Sequence, residues 1–247
     1  SSAASDVYKR QIIGSFLNVC IYRIPKNESI VTDRSHCMTC GHKLKWYDLV
    51  PLVSYLALGG KCRYCKTKIS KQYPVIEFTN GVLYGILVVV NGFDISTILF
   101  CLCSSALLAL SVIDWRTFEI PIAFNIFIGI LGIIRLLTDL EHWYVYIIGF
   151  FAVSGFLYLL FLITKGRGIG GGDIKLMAAA GLLIGWKNII LALGIGCVLG
   201  SIIHIILMKV QNKERVLAFG PYLSLGIYIA MLYGNQIIEW YINTFIY

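Results

Sequence analysis

The chain reads as an all-α polytopic membrane protein of about eight transmembrane helices with a small metal-binding cytoplasmic insert. Three observations predict this. Hydrophobic residues make up 58% of the 247 and charged residues only 14%, against roughly a quarter charged in soluble domains. The apolar residues fall into long runs, as spans of about 20 residues require. One longer polar stretch, Lys26 to Tyr73, holds nine Lys/Arg against three acids and two C-x-x-C pairs. The formal charge of +8 lies mostly between apolar runs, where it orients helices. With no basic face interleaved with aromatics, the reading is of a lipid bilayer as partner and no nucleic acid.

Each segment follows in order. Residues 1–10 are polar and lack an initiator Met; they read as a non-native or truncated start and are set aside. Residues 11–25 are an incomplete first helix, Gln11 to Ile24, stopped by Pro25. Residues 26–73 form the insert. Residues 74–247 supply the remaining helices: Pro74 to Val90, closed by Asn91-Gly92, then Ile95 to Ile113, ending at Asp114-Trp115-Arg116. A fourth runs from Ile120 to Leu137, with Pro121 in its first turn where a missing N–H costs little. A fifth runs from Tyr144 to Thr164, and a short sixth from Ile174 to Gly185. The seventh spans Asn188 to Met208 and the eighth Leu217 to Ile238.

Basic loops set the orientation. With the insert in the cytoplasm, alternation puts Arg116, Lys165/Arg167 and Lys209/Lys213/Arg215 inside, and Asp94, Asp139/Glu141 and Lys187 outside, in agreement with the positive-inside rule. Asp114 then ends a helix arriving at the cytoplasmic face and Asp173 begins one leaving it, so the two acids share a depth although 59 residues apart.

Two carboxylates at one depth suggest an aspartyl protease: one ionised to take a proton from water, one protonated to donate to the carbonyl oxygen. Proximity itself divides the labour, since like charges held close cannot both ionise. Asp173 closes the run Gly168-Ile169-Gly170-Gly171-Gly172. Glycines Gly168, Gly170, Gly171 and Gly172 permit φ > 0 and close backbone approach. A helix N-terminus at Asp173 favours its ionised form and marks it as the base. Taken singly, Asp173 also fits an N-cap and Asp114 a charge beyond its helix end. A phosphate loop is disfavoured, because the run lacks a Lys-Ser/Thr ending.

Cys37, Cys40, Cys62 and Cys65 give C-x2-C, a 21-residue spacer and C-x2-C. Four thiolates at this spacing fit a closed tetrahedral zinc site, with redox pairs or an iron–sulfur centre as alternatives. The insert has few large apolar residues, so a metal would stabilise its fold. His36 and His42 read as bystanders. Cys20 and Cys197 read as small apolar helix residues, and Cys101 and Cys103 face different sides of one helix.

Together these elements resemble the bacterial type IV prepilin peptidases, the leader peptidase/N-methyltransferases. The resemblance rests on Gly14-Ser15-Phe16-Leu17-Asn18-Val19, both Cys pairs, Pro51-Leu52-Val53-Ser54-Tyr55, Tyr73-Pro74-Val75-Ile76-Glu77, Asp114 with Ile120-Pro121, Gly168 to Lys175, and Phe219-Gly220-Pro221-Tyr222. It implies cleavage of the basic leader of prepilin or pseudopilin transmembrane substrates at the cytoplasmic face of the bacterial inner membrane, in type IV pilus or type II secretion systems. It also implies methylation of the new N-terminus with S-adenosylmethionine, Asp114 and Asp173 as the catalytic pair of a GxGD protease, and the four cysteines as zinc ligands. The chain departs from the pattern at Ala218, where a proline is common, and at Ile122, where a polar residue is usual. For methyl transfer, Gly60 and Glu77 are the candidates, beside the plainer readings of a turn and a helix-end charge. The alternatives are a peptidase without methyl transfer, and a non-catalytic receptor or transporter whose insert docks a partner.

Overall fold

A computed structural model describes residues 16–26, 28, 39–42, 55, 58–166, 168–211 and 218–245. The described residues hold eight α-helices: α1 Phe16–Arg23, α2 Gln72–Asn91, α3 Ile95–Thr117, α4 Ile122–Thr138, α5 Trp143–Ile163, α6 Gly171–Ile184, α7 Trp186–Gln211 and α8 Gly220–Phe245. Two short 3-10 turns, Ile24–Lys26 and Leu140–His142, complete them. The only extended pairing among the described residues is an isolated antiparallel bridge between Lys61 and Lys68. The chain is thus an all-helical membrane protein, with eight helices as the apolar runs predict. The readings for residues 1–10 and for Gln11 to Ser15 lie outside the described residues.

Four helices are long and apolar enough to cross a bilayer, namely α2, α3, α5 with its preceding turn, and α7. Residues 1–83 and 84–247 form two compact units. In the second, α7 against α8, α5 against α6 and α4 against α6 are the most extensive pairs, and α3 also packs on α8 and α5 on α7, so neighbours in space are not always neighbours in sequence. Glycine makes the closest crossings. A Cβ on Gly149 of α5 would strike the Gly181 carbonyl of α6, and one on Gly226 of α8 would strike the Ala192 carbonyl of α7. Lipid tails give helices no hydrophobic reason to associate, so close backbone approach of small residues supplies the contact.

The shortest of α3 to α8, α6, lies innermost. Its 14 residues reach about 21 Å, short of the roughly 30 Å hydrocarbon core. Leu176 to Ile184 are all buried, so protein covers a helix that lipid could not cover, the condition under which irregular backbone is tolerated at membrane depth.

Three details differ from the sequence reading. Helix α6 starts at Gly171 with Gly170 as N-cap, so Asp173 lies inside the first turn and is not itself the cap. None of Gly168, Gly170, Gly171 and Gly172 has positive φ; that conformation falls just before them, at Lys165 (φ 51°) and Gly166 (φ 76°). Pro121 is the N-cap of α4 at φ −63°, ψ 134°, not a first-turn residue; one position before the helix, its missing N–H likewise removes no intrahelical bond.

Candidate active site

Asp114 is held from both its main chain and its side chain. Helix α3 ends on Phe118 in a left-handed conformation (φ 56°, ψ 28°), whose N–H bonds the Asp114 carbonyl at 2.8 Å. The carboxylate turns inward, is 4% exposed, and accepts the Gly220 backbone N–H on Oδ2 at 2.9 Å. Gly220 opens α8, and the first N–H groups of a helix have no intrahelical acceptor. The Asp114 side chain supplies one. A Cβ on Gly220 would lie 2.7 Å from Asp114 Oδ2, so only glycine admits the contact.

Asp173 is 9% exposed and accepts the backbone N–H of Gly170. An acid at the third helical position reaching back to the N-cap N–H is half of a capping box. Asp173 and Asp114 are within electrostatic reach of one another. Both carboxylates therefore face a helix N-terminus, Asp173 that of α6 and Asp114 that of α8, and the dipole does not distinguish base from acid.

The glycine run serves approach, not conformation. A Cβ at Gly172 would meet the Ile120 side chain at 3.0 Å, at Gly170 it would meet Asp173 Oδ2 at 3.0 Å, and at Gly168 it would meet Thr164 at 3.3 Å, whereas at Gly171 it would meet nothing within 4 Å. Asn125, 6% exposed on α4, directs Nδ2 to the Gly172 carbonyl at 3.5 Å. Gly220 and Asn125 are additions of the geometry. The Gly-Pro step ahead of an apolar run signals the first, since it marks a helix start; a polar residue one turn inside an apolar helix signals the second.

The other end of this bundle carries a different network. Arg135 donates to Ser96 Oγ at 2.5 Å and lies 5.7 Å from the Tyr146 ring centroid. Tyr146 Oη donates to Asp139 at 2.7 Å, and His142 Nδ1 pairs with Asp139 at 2.9 Å. These bonds, His142 first, hold the Asp139 carboxyl below its ordinary value. A cavity of about 400 Å³ lies there.

In the other unit, Cys40, Cys62 and Cys65 bring their sulfur atoms within 4.8 Å of one another. Tetrahedral zinc with ~2.3 Å bonds to sulfur needs sulfurs ~3.8 Å apart, so the three fit a zinc ion. Each knuckle turns in the same way: the residue after its second cysteine has positive φ, Gly41 at 69° and Lys66 at 57°. The second is closed by Cys62 N–H to the Thr67 carbonyl at 2.8 Å and Lys66 N–H to the Cys62 carbonyl at 3.0 Å. Cys37 lies outside the described residues. His42 stacks on Tyr64 with ring centroids 3.6 Å apart, which gives the residue read as a bystander a packing role between the knuckles. Gly60 has φ 68° and the Tyr55 ring lies against it, where a Cβ would come 2.9 Å from Oη. Glu77 is half-buried on α2. Cys101 and Cys103 are buried, while Cys197 is exposed on α7.

The fold and this geometry define a multi-pass membrane protein with paired buried carboxylates at one end of its bundle. Comparison with known sequences agrees. The bacterial peptidase A24 N-terminal domain matches residues 10–91, and the type IV leader peptidase family matches residues 101–205. A prepilin leader peptidase/N-methyltransferase of Pseudomonas aeruginosa is 32% identical over 262 residues, covering 94% of this chain and 90% of the relative. One from Bacillus subtilis is 34% identical over 237 residues, covering 94% of each. No solved structure gives a significant match. The chain belongs to the type IV leader peptidase family and is an aspartic-type peptidase.

Proposed function

We propose that the protein cleaves the leader of type IV prepilin or pseudopilin substrates at the cytoplasmic face of the bacterial inner membrane, with Asp114 and Asp173 as the catalytic pair, and then methylates the new N-terminus. The observation that carries the peptidase reading is the burial of two carboxylates from distant segments at one end of the bundle, within electrostatic reach. One carboxylate takes a proton from the attacking water while the other gives a proton to the scissile carbonyl oxygen; collapse of the tetrahedral adduct returns a proton to the leaving nitrogen. The Gly220 N–H aims Asp114, and the Gly170 N–H aims Asp173. Relatives named as prepilin leader peptidase/N-methyltransferases support the substrate, and the basic loops beside both acids support the cytoplasmic face.

For the methyl step, S-adenosylmethionine would be the methyl donor. Of the two candidates, Gly60 has the Tyr55 ring packed against it. This observation favours peptidase activity alone as the second reading. We assign residues 26–73 to a zinc-stabilised insert and 74–247 to the peptidase. Cys40, Cys62 and Cys65 would hold the zinc, with Cys37 as the fourth ligand, and the ion would supply structural cross-linking. Processing of a model prepilin in detergent by Asp114→Asn and Asp173→Asn tests the pair. Each should lose at least about a hundredfold in cleavage with normal membrane insertion; a single mutant that still processes prepilin overturns it. Mass spectrometry of the mature terminus decides between the two readings, an unmethylated product favouring the peptidase alone.

A further inference from the structure

Asn125 is a buried amide with one end unused. Its Nδ2 faces the Gly172 carbonyl at 3.5 Å, a long hydrogen bond, and this orientation avoids setting two oxygens against each other. Oδ1 is then shielded from solvent and has no hydrogen-bond partner among the described residues. Buried acceptors are paired in nearly all proteins, and an exception calls for a reason.

The chemistry supplies one. A peptide bond within an α-helix is screened by its turn, so water reaches the scissile carbonyl only after the substrate helix opens there. Each opened residue leaves an N–H and a C=O without their helical partners, and main-chain groups left unpaired beside buried side chains are costly. The site must provide acceptors for the N–H groups. Both aspartates are committed to the reacting water and carbonyl. Asn125 sits beside Gly172, next to Asp173 in sequence, and its free oxygen is an acceptor of the required kind.

We propose that Asn125 positions the substrate: its amide oxygen accepts a main-chain N–H from the unwound segment beside the scissile bond, while its amide nitrogen steadies the Gly172 carbonyl. The ligand class is thus an extended peptide strand, read through its backbone. This inference rests on the peptidase reading, yet fails separately from it.

The test uses the full-length protein in detergent and a model prepilin in which each amide flanking the scissile bond is replaced in turn by an ester, which removes one N–H. The wild-type protein should lose roughly three- to tenfold in kcat/KM on one ester and little on the others. Asn125→Leu should lose a similar factor on the all-amide substrate and show no further loss on that ester, so the two changes are not additive. Asn125→Asp should regain cleavage as pH falls and its carboxyl becomes neutral. Equal sensitivity of wild type to every ester overturns the proposal without any variant, and so does additive loss in Asn125→Leu. Inactive Asp114→Asn with ester-indifferent wild type would sink this inference and leave the peptidase reading standing.

Discussion

The carboxylate of Asp114 accepts a hydrogen bond from the backbone N–H of Gly220, 106 residues further along the chain, at 2.9 Å. The end of α3 is thereby joined to the start of α8, and an orphan helix donor is paired with an acid. Substituting Gly220→Ala places a Cβ 2.7 Å from Asp114 Oδ2, so the carboxylate must turn away. Cleavage of a model prepilin should fall at least about tenfold, since on the proposed mechanism small displacements of Asp114 are costly, whereas Gly171→Ala, which meets nothing within 4 Å, serves as the control.

The glycines before and within α6 are not equivalent. Gly171→Ala should retain near wild-type cleavage, as no atom lies within 4 Å of the added methyl, whereas Gly172→Ala should be impaired by the Ile120 side chain 3.0 Å away. Side-by-side prepilin assays of the two variants decide this.

Removal of a ligand should empty the knuckle. Cys62→Ser should abolish stoichiometric zinc, measured by elemental analysis of purified protein, because Cys62 is fully buried between its neighbours in the sulfur cluster. Cys20→Ser should leave the metal content unchanged. Zinc retained in Cys62→Ser would count against the thiolate site.

Helix crossing can be tested away from the acids. Gly149→Ala drives a methyl into the Gly181 carbonyl, whereas Gly155→Ala, on the same helix, meets nothing within 4 Å. The first should lose about 1–3 kcal/mol by overpacking; the second should be neutral or slightly stabilising, since Ala is the better helix former. Thermal unfolding in detergent reads both.

The far end of the bundle should show acid sensitivity. Asp139 is held below its ordinary value of 3.8 by His142 and Tyr146. A depressed carboxyl contributes stability above its unfolded pKa and loses it as pH falls through the folded one. Unfolding midpoints should therefore drop as pH is lowered through and below about 4, and Asp139→Asn should remove that part of the pH dependence.

Hydrophobic run length, charge bias and turn residues placed all eight helices, because long apolar segments with polar ends have few other solutions in lipid. That Asp114 and Asp173 come within electrostatic reach of one another accords with the span counting. The partners of each acid were not legible. That Gly220 donates to Asp114 depends on how α8 packs on α3, and single-chain periodicity carries no record of which helices touch. Close backbone approach was legible in the glycine run and is what Gly168, Gly170 and Gly172 provide, whereas the positive φ that the run also permits is used by none of its glycines. The stack of His42 on Tyr64 needs both knuckles folded, and residues 22 apart reveal no such pairing along the chain.

The donor that anchors Asp114 arrives late in synthesis. A ribosome that has released α3 through α7 into the bilayer has made both acids, yet nothing to pin the first of them. A chain cut short before residue 220 would carry both carboxylates yet lack the Gly220 N–H that meets Asp114, so on the proposed mechanism such a fragment would hold the two acids without the contact that aligns the first.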